Sequence, residues 1–251
     1  MNNSNMRLLV SVRDAVEAAA ARVGGADIID AKEPASGALG AVDLATFQHI
    51  VAAVADARPV TAALGDAVDE QAIAHTADAY ARAGARLVKI GFAGITSRTR
   101  VASLVAAARD GAAGTFAGVI ATAYADADRV ASLNPFAMID AAALAGATGM
   151  LLDTVDKQGP GLRGLMSSER LHSWVSAARD ARLLVALAGK LRADDFGFVN
   201  DAGADIIGVR GAACDGGRTG QIVAARVRAI RSAVVRCSIP GLVPDPVSVS
   251  E

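Results

Sequence analysis

Charged side chains stand at the ends of several apolar runs in this 251-residue chain, where an ordinary buried strand would close with apolar or turn residues. In the segment ADIIDAKEP, residues 26–34, Asp30 and Lys32 are two positions apart and therefore share one face of a strand. Similar runs end in Lys89 and in Asp153 followed by Lys157. Because burying an unpaired charge costs several kcal/mol, the pattern predicts that these groups meet as partners.

Lysines that lie close together in a buried site can react as nucleophiles. Nearby cations and burial lower the pKa of an amine below its ordinary value near 10.4, and the neutral amine can attack a carbonyl to form an imine. Lys32, Lys89 and Lys157 could each do this, and the residues alone do not rank them. Asp30 and Asp153 would orient the amines or relay protons. The structural alternative is an ion-pair network without chemistry.

A fourfold repeat supplies the elements that must position these groups. GGADIID, AGARLVKIG, AGATGMLLD and AGADIIGVRG recur about every 60 residues, and each places a glycine where an Ala-rich helical pattern gives way to an apolar strand. Further apolar runs complete eight strands, at 8–12, 60–64, 115–123 and 183–189. Helices are predicted near 14–23, 43–56, 69–82, 97–109, 135–145, 168–180, 192–202 and 220–235. Eight such units predict an α/β fold, a single-domain (β/α)8 TIM barrel, whose active site lies at the carboxyl ends of the strands.

Composition limits the class of protein. The chain is 53% hydrophobic and 20% charged with a net charge of -1, which disfavours nucleic acid or an anionic membrane as the main partner. No signal-peptide core or long apolar stretch occurs, so we expect a cytoplasmic protein that does not bind membranes. We expect a core at about 7–236 with loosely ordered extensions on either side, and leave a homo-oligomer open.

Two loops predict a phosphate site. ALAGK follows the seventh strand and GVRGAACDGGRTG follows the eighth, the position where TIM barrels frequently bind phosphate through backbone amides. The candidate phosphate-binding residues are Gly189, Lys190, Arg210, Gly211 and Ala212, and Arg218 is a further spare cation. The alternative is a flexible glycine-rich loop. No H-E-x-x-H, G-x-S-x-G or Walker motif is present, so we predict no metal site.

Taken together, these segments resemble a known enzyme family. The DAKEP segment, the VKIG around Lys89, LLDTVDKQG, LAGKL and GVRGA look like (5-formylfuran-3-yl)methyl phosphate synthase, also called 4-(hydroxymethyl)-2-furancarboxaldehyde-phosphate synthase. The resemblance extends from about Leu8 to Ile230. It departs at DAKEP, where archaeal relatives are expected to have a DVKNP-like segment, but the ionisable positions match.

The resemblance implies a function in methanofuran biosynthesis and one-carbon metabolism. Such a lyase joins two molecules of glyceraldehyde 3-phosphate, with loss of one phosphate and water, and uses no metal or organic cofactor. Lys32 would form the Schiff base, Lys89 would accept a proton, and Asp30, Asp153 and Lys157 would support them. The imine would yield an enamine that attacks a second aldehyde.

Other functions stay open at this point. A different Schiff-base sugar-phosphate aldolase would keep the reactive lysine. A phosphosugar isomerase or epimerase would turn over without a covalent adduct. A non-catalytic barrel that binds a phosphorylated metabolite would show binding without an imine.

Overall fold

Eight parallel strands in sequence order form a closed barrel in the computed structural model, which describes residues 6–238. The first strand pairs with both the second and the eighth, and this pairing closes the ring. The predicted (β/α)8 barrel is therefore confirmed. The strands are β1 Arg7–Val12, β2 Ile28–Ala31, β3 Val60–Asp66, β4 Leu87–Gly91, β5 Gly118–Tyr124, β6 Gly149–Asp153, β7 Leu184–Leu187 and β8 Ile206–Val209.

Helices surround the barrel between the strands. They are α1 Ala15–Val23, α2 Leu44–Val54, α3 Glu70–Arg82, α4 Arg98–Gly111, α5 Pro135–Leu144, α6 Leu162–Leu165, α7 Ser168–Asp180, α8 Phe196–Ala202 and α9 Ala224–Cys237. The helix expected near 192–202 is divided, because a 3-10 turn at Ala193–Asp195 precedes α8. The last helix begins later than predicted, because β10 (Gln221–Ile222) pairs with β9 (Cys214–Asp215) in a small hairpin.

The four glycines that mark the repeat all adopt the left-handed backbone. Their φ angles are 91° at Gly25, 106° at Gly84, 80° at Gly146 and 87° at Gly203. An L-residue avoids this region because its Cβ would crowd the backbone, so glycine ends each helix at little cost. The repeated glycine therefore turns the chain from a helix into the next even-numbered strand.

Apolar side chains fill the lower barrel and leave its upper end to polar groups. Leu9 and Ile28 lie two residues before Ser11 and Asp30 on the same faces of β1 and β2. Ile120, Leu151, Ala186 and Ile206 continue this inner apolar cluster. A second, larger cluster packs the outer faces of the strands against the helices. The inner layer forms a dry floor beneath the charged residues.

The predicted extensions at residues 1–5 and beyond 238 lie outside the described residues. Within residues 6–238, no helix is both long and apolar enough to cross a membrane.

Candidate active site

All ten predicted site residues line one cavity of about 450 Å³ at the carboxyl ends of the strands. This volume is within the range of small-molecule sites. The predicted residues on its wall are Asp30, Lys32, Lys89, Asp153, Lys157, Gly189, Lys190, Arg210, Gly211 and Ala212. Arg192 and Arg218 also line it, and Arg192 was not predicted. Residues far apart in the sequence thus converge, while their roles stay predictions.

Asp30 is held by three neighbours from three other strands. It is fully buried and accepts hydrogen bonds from Ser11 Oγ on β1 at 2.8 Å and Thr61 Oγ1 on β3 at 2.7 Å. The amine of Lys89 on β4 lies 2.5 Å from Asp30 Oδ1. Sequence reasoning missed Ser11 and Thr61, although each is a hydroxyl on the inner face of its strand. The carboxylate is therefore fixed in place and paired with one amine.

Lys32 has a looser environment than Lys89. Its Nζ lies 3.7 Å from Asp153 Oδ2, and this amine makes no hydrogen bond within the described part of the chain. Burial, the largest influence, lowers the pKa of the Lys32 amine from 10.5 to about 8. The negative charge of Asp153 opposes this shift, and the positive charges of Lys157 and Lys89 add to it. Lys32 is thus a buried amine that loses its proton readily.

Asp153 contacts the side-chain amines of two lysines, Lys157 and Lys32. Its Oδ1 accepts from Lys157 Nζ at 2.9 Å and from the Thr154 backbone N–H at 2.7 Å, while Oδ2 faces Lys32. Burial alone would raise the pKa of this carboxyl, but the charges of Lys157 and Lys32 and these hydrogen bonds outweigh burial and lower it to about 2. Asp153 therefore stays an anion at neutral pH.

A third buried aspartate positions the loop that carries Lys157. Asp126, which follows β5, accepts from the backbone N–H of Val155 at 2.8 Å and of Asp156 at 2.9 Å. These bonds shape the turn after β6, so that Lys157 folds back toward Asp153 and also donates to the Thr154 carbonyl. Sequence reasoning missed Asp126, whose only signal was a polar residue just past an apolar strand.

The β7 loop approaches the cavity in an unusual backbone conformation. Gly189 and Lys190 both have positive φ, 109° and 58°. A Cβ at Gly189 would lie 2.9 Å from Thr154 Cγ2 and 3.2 Å from Leu162 Cβ, so only glycine fits between these neighbours. The amine of Lys190 donates to the Gly159 carbonyl. The surrounding contacts hold Lys190 in a backbone conformation that L-residues rarely adopt.

Arg210 lines the cavity, yet protein acceptors occupy its guanidinium. Its donors bond Glu17, the Ser11 carbonyl, and the carbonyls of Arg218 and Gly220. An arginine has five N–H donors, and these contacts use all of them. This geometry argues against the predicted role of Arg210 as a direct phosphate ligand. Gly211 and Ala212 form a 3-10 turn on the cavity wall immediately after it.

No group of three or more His, Cys, Asp or Glu side chains within residues 6–238 is arranged to hold a metal ion. Cys214, in the segment after β8, is buried, and burial raises the pKa of its thiol. This thiol is therefore poorly suited to act as a nucleophile.

Fold and site together define a (β/α)8-barrel enzyme with buried, carboxylate-paired lysines at the carboxyl ends of its strands. A sequence model of the 4-HFC-P synthase family matches residues 8–231, and the chain belongs to this family. The predicted resemblance and enzyme class are thereby confirmed.

Relatives from archaea and bacteria agree with this assignment. The chain is 37% identical over 233 residues to the (5-formylfuran-3-yl)methyl phosphate synthase of Methanopyrus kandleri, covering 92% of this chain and 96% of that protein. It is 37% identical to the protein of the same name from Methanothermobacter thermautotrophicus, with 90% and 98% covered. It is 39% identical to a protein of Streptomyces griseus named as a putative synthase of this kind, with 84% and 87% covered.

Solved structures show the same fold at lower identity. The 3-hexulose-6-phosphate synthase from Salmonella typhimurium superposes with a TM-score of 0.60 at 19% identity, covering 90% of this chain and 98% of that one. Thiamine phosphate pyrophosphorylase from Pyrococcus furiosus gives 0.62 at 15% identity, covering 94% and 98%. These similarities show the barrel architecture alone.

Proposed function

We propose that this chain makes (5-formylfuran-3-yl)methyl phosphate from two molecules of glyceraldehyde 3-phosphate through an imine on Lys32. The observation that carries the assignment to Lys32 is the environment of its amine. Lys89 lies 2.5 Å from Asp30 and Lys157 lies 2.9 Å from Asp153, whereas the nearest carboxylate oxygen to Lys32 is 3.7 Å away. This difference supports Lys32 rather than Lys89 as the nucleophile, a choice that the residues alone leave open.

The lowered pKa of Lys32 makes the attack feasible at neutral pH. With a pKa of about 8, roughly one tenth of the Lys32 amine is neutral at pH 7, against about one part in three thousand for an ordinary lysine. The neutral amine adds to a carbonyl carbon and releases water. Asp153, an anion beside it, would balance the positive charge of the protonated imine.

The substituents of the product furan indicate which carbon–carbon bond must form. The formyl group is attached at ring position 5 and the methyl group that carries the phosphate ester at ring position 3. The ring carbon at position 3 is bonded to three other carbons, so the carbon skeleton is branched. An enamine attack on an aldehyde carbon would give an unbranched chain of six carbons, and we therefore revise that expected step. The branched skeleton requires a bond between the ketone carbon of one triose and the carbon that carried phosphate in the other.

A balanced sequence follows from this requirement. One triose phosphate isomerises to dihydroxyacetone phosphate, whose ketone forms the imine with Lys32 and releases water. A second glyceraldehyde 3-phosphate loses the proton next to its aldehyde and expels phosphate, which leaves an enol. The terminal carbon of this enol attacks the imine carbon. Ring closure by the free hydroxyl, loss of a second water and expulsion of the lysine amine then give the aromatic furan.

Lys89 and Asp30 would carry the protons of these steps. In the resting site Lys89 is ion-paired with Asp30, so it first donates a proton to a developing alkoxide and can then accept one from carbon. Ser11 and Thr61 hold Asp30 so that the pair keeps its position. Lys190, Gly211 and Ala212 would contact the substrate phosphates, and Arg218 would add a positive charge.

The proposal also covers the substrates, the compartment and the pathway of the enzyme. It would act on small triose phosphates in the cytoplasm, in methanofuran biosynthesis and one-carbon metabolism, without nucleic acid or membrane partners and without a metal or organic cofactor. A homo-oligomer remains compatible with it.

Borohydride trapping tests this proposal directly. Purified protein incubated with glyceraldehyde 3-phosphate should develop the ultraviolet absorbance of a furan aldehyde. Borohydride should then fix a triose adduct that peptide mass spectrometry locates on Lys32. Lys32→Arg should lose both signals, whereas Lys190→Arg should keep the adduct. Turnover without an adduct on any lysine, with a known Schiff-base aldolase as a positive control, would overturn the imine mechanism. An adduct without furan would favour a different aldolase.

A further inference from the structure

Glu17 is a buried carboxylate outside the cavity. It lies in the first turn of α1, is only 3% exposed, and accepts a hydrogen bond from the Arg13 backbone N–H at 2.9 Å. The capping-box spacing with Asp14 predicts a bond back to the helix N-cap, and Asp14 does accept from the Glu17 backbone N–H at 2.8 Å. The side chain of Glu17, however, turns toward the end of β8.

Arg210 donates hydrogen bonds to both carboxylate oxygens of Glu17. Its Nη1 lies 2.7 Å from Oε2 and its Nη2 lies 3.2 Å from Oε1, and both side chains are almost completely buried. A bidentate contact of this kind fixes the plane of the guanidinium. With that plane fixed, the remaining donors of Arg210 can point only at particular acceptors.

Two of those acceptors belong to the loop that Arg210 itself begins, and the third is the Ser11 carbonyl on β1. Its Nε donates to the Arg218 carbonyl at 2.8 Å and its Nη2 to the Gly220 carbonyl at 3.2 Å, so the start of the loop is tied to its end. Arg13, whose Nε lies 3.3 Å from Glu17, donates to the Thr219 carbonyl at 2.8 Å. Glu17 thus organises two arginines that hold residues 211–220.

The same loop is attached to the strand that carries Lys32. The side chain of Arg218 donates to the carbonyls of Pro34 and Gly37, in the turn that follows β2. Gly211 lies beside the Arg218 backbone, and a Cβ on Gly211 would be 3.8 Å from the Arg218 Cα. A shift of the loop would therefore move Gly211 and Arg218 away from the cavity together.

We propose that Glu17 and Arg210 form a positioning pair that holds residues 211–220 in the geometry needed to bind a substrate phosphate. Neither side chain acts as a phosphate ligand. Glu17 does not line the cavity, and the donors of Arg210 are already used. The inference rests on the proposed function only in assuming that the bound group is a phosphate ester.

Glu17→Gln tests the pair, because it keeps the size of the side chain and removes its charge. We expect the dissociation constant of inorganic phosphate and the KM of glyceraldehyde 3-phosphate to rise at least tenfold. Amide hydrogen exchange across residues 211–220 should accelerate. Borohydride trapping of phosphate-free dihydroxyacetone on Lys32 should stay at the wild-type level, since that reaction does not need the phosphate contacts.

Two further variants keep the test decisive. Arg210→Lys retains a positive charge but loses the fork that reaches Arg218 and Gly220, and it should reproduce the Glu17→Gln defect. Glu70→Gln is the matched control, because Glu70 also lies in a first helical turn and pairs with an arginine, but that arginine, Arg100, does not line the cavity. It should leave all readouts unchanged.

The outcomes separate this inference from the proposed function. Wild-type phosphate affinity in both Glu17→Gln and Arg210→Lys would overturn the positioning role. Equal loss of phosphate binding and of dihydroxyacetone trapping would also overturn it, since the damage would then be general. A wild-type protein that binds phosphate but forms no imine would refute the proposed mechanism and leave the positioning pair intact.

Discussion

Lys32 and Asp153 face each other with 3.7 Å between Nζ and Oδ2, too far for a hydrogen bond but close enough for a strong electrostatic interaction. Lys157 holds the other oxygen of the same carboxylate at 2.9 Å. Asp153 therefore raises the pKa of Lys32, while Lys157 lowers it. Changes to these two neighbours should act on Lys32 in opposite directions.

The rate of imine formation should rise with pH through an inflection at about pH 8 and then level off, because only the neutral Lys32 amine attacks. Asp153→Asn removes the charge that raises the pKa of Lys32, so the inflection should move below 8. Lys157→Met removes a charge that lowers this pKa, so the inflection should move above 8. Borohydride trapping of dihydroxyacetone across the pH range measures both shifts. Shifts in the same direction would contradict the electrostatic assignment.

The buried Asp30–Lys89 pair should show strong coupling in stability. Lys89→Met leaves the Asp30 carboxylate buried without its cation, and we expect a loss of about 3 kcal/mol in the free energy of unfolding. Asp30→Leu should cost a similar amount. The double variant should lose about 2 kcal/mol less than the sum of the single variants, because neither charge is then left unpaired. Urea denaturation measures the cycle, and additive losses would show that the two groups do not interact.

Asp126 should act on Lys32 through Lys157. Asp126→Asn leaves one acceptor oxygen where two backbone N–H groups need acceptors, so the turn after β6 should loosen and Lys157 should withdraw. The pKa of Lys32 should then rise, because a nearby positive charge is lost. The pH profile of trapping detects this shift. Asp128→Asn is the matched control, since Asp128 is exposed on the same segment, and it should leave the profile unchanged.

Gly189 should not tolerate a side chain. Gly189→Ala combines a φ of 109° with close approach to Thr154 and Leu162, and we expect a loss of about 2 kcal/mol in stability together with weaker phosphate binding. Gly197→Ala is the control, because a Cβ there meets no atom within 4 Å and the residue lies in α8. That change should be neutral or slightly stabilising. Thermal unfolding and phosphate titration compare the two, and equal effects would contradict the steric argument.

The periodic part of the sequence was sufficient to predict the fold. Four glycines at helix ends and eight apolar runs determine the order of strands and helices, and the even-numbered strands present Asp30, Lys89 and Asp153 at one end of the barrel. These are local patterns, so one sequence reveals them. The convergence of the ten predicted residues on one cavity follows from the closure of the barrel.

The supporting residues could not be predicted in the same way. Glu17 has the signature of a helix cap, and its pairing with Arg210 depends on how α1 packs beside the end of β8. The two carboxylate oxygens of Asp126 accept from backbone N–H groups of a neighbouring loop. Every residue except proline has such a group, so the sequence does not indicate which ones Asp126 will contact. Arg210 looked like a phosphate ligand because its neighbours and charge fit one. Only its contacts show that the donors are already used.

Two of the three lysine–carboxylate contacts of the site each lie within one half of the barrel, and the third crosses between the halves. Asp30 and Lys89 both belong to β1–β4, and Asp153 and Lys157 both belong to the second half, whereas Lys32 meets its carboxylate across the seam. Each half thus contributes one complete lysine–aspartate pair, and the contact of Lys32 with Asp153 requires both halves. Co-expression of the halves as separate polypeptides would make imine formation a direct reporter of their assembly.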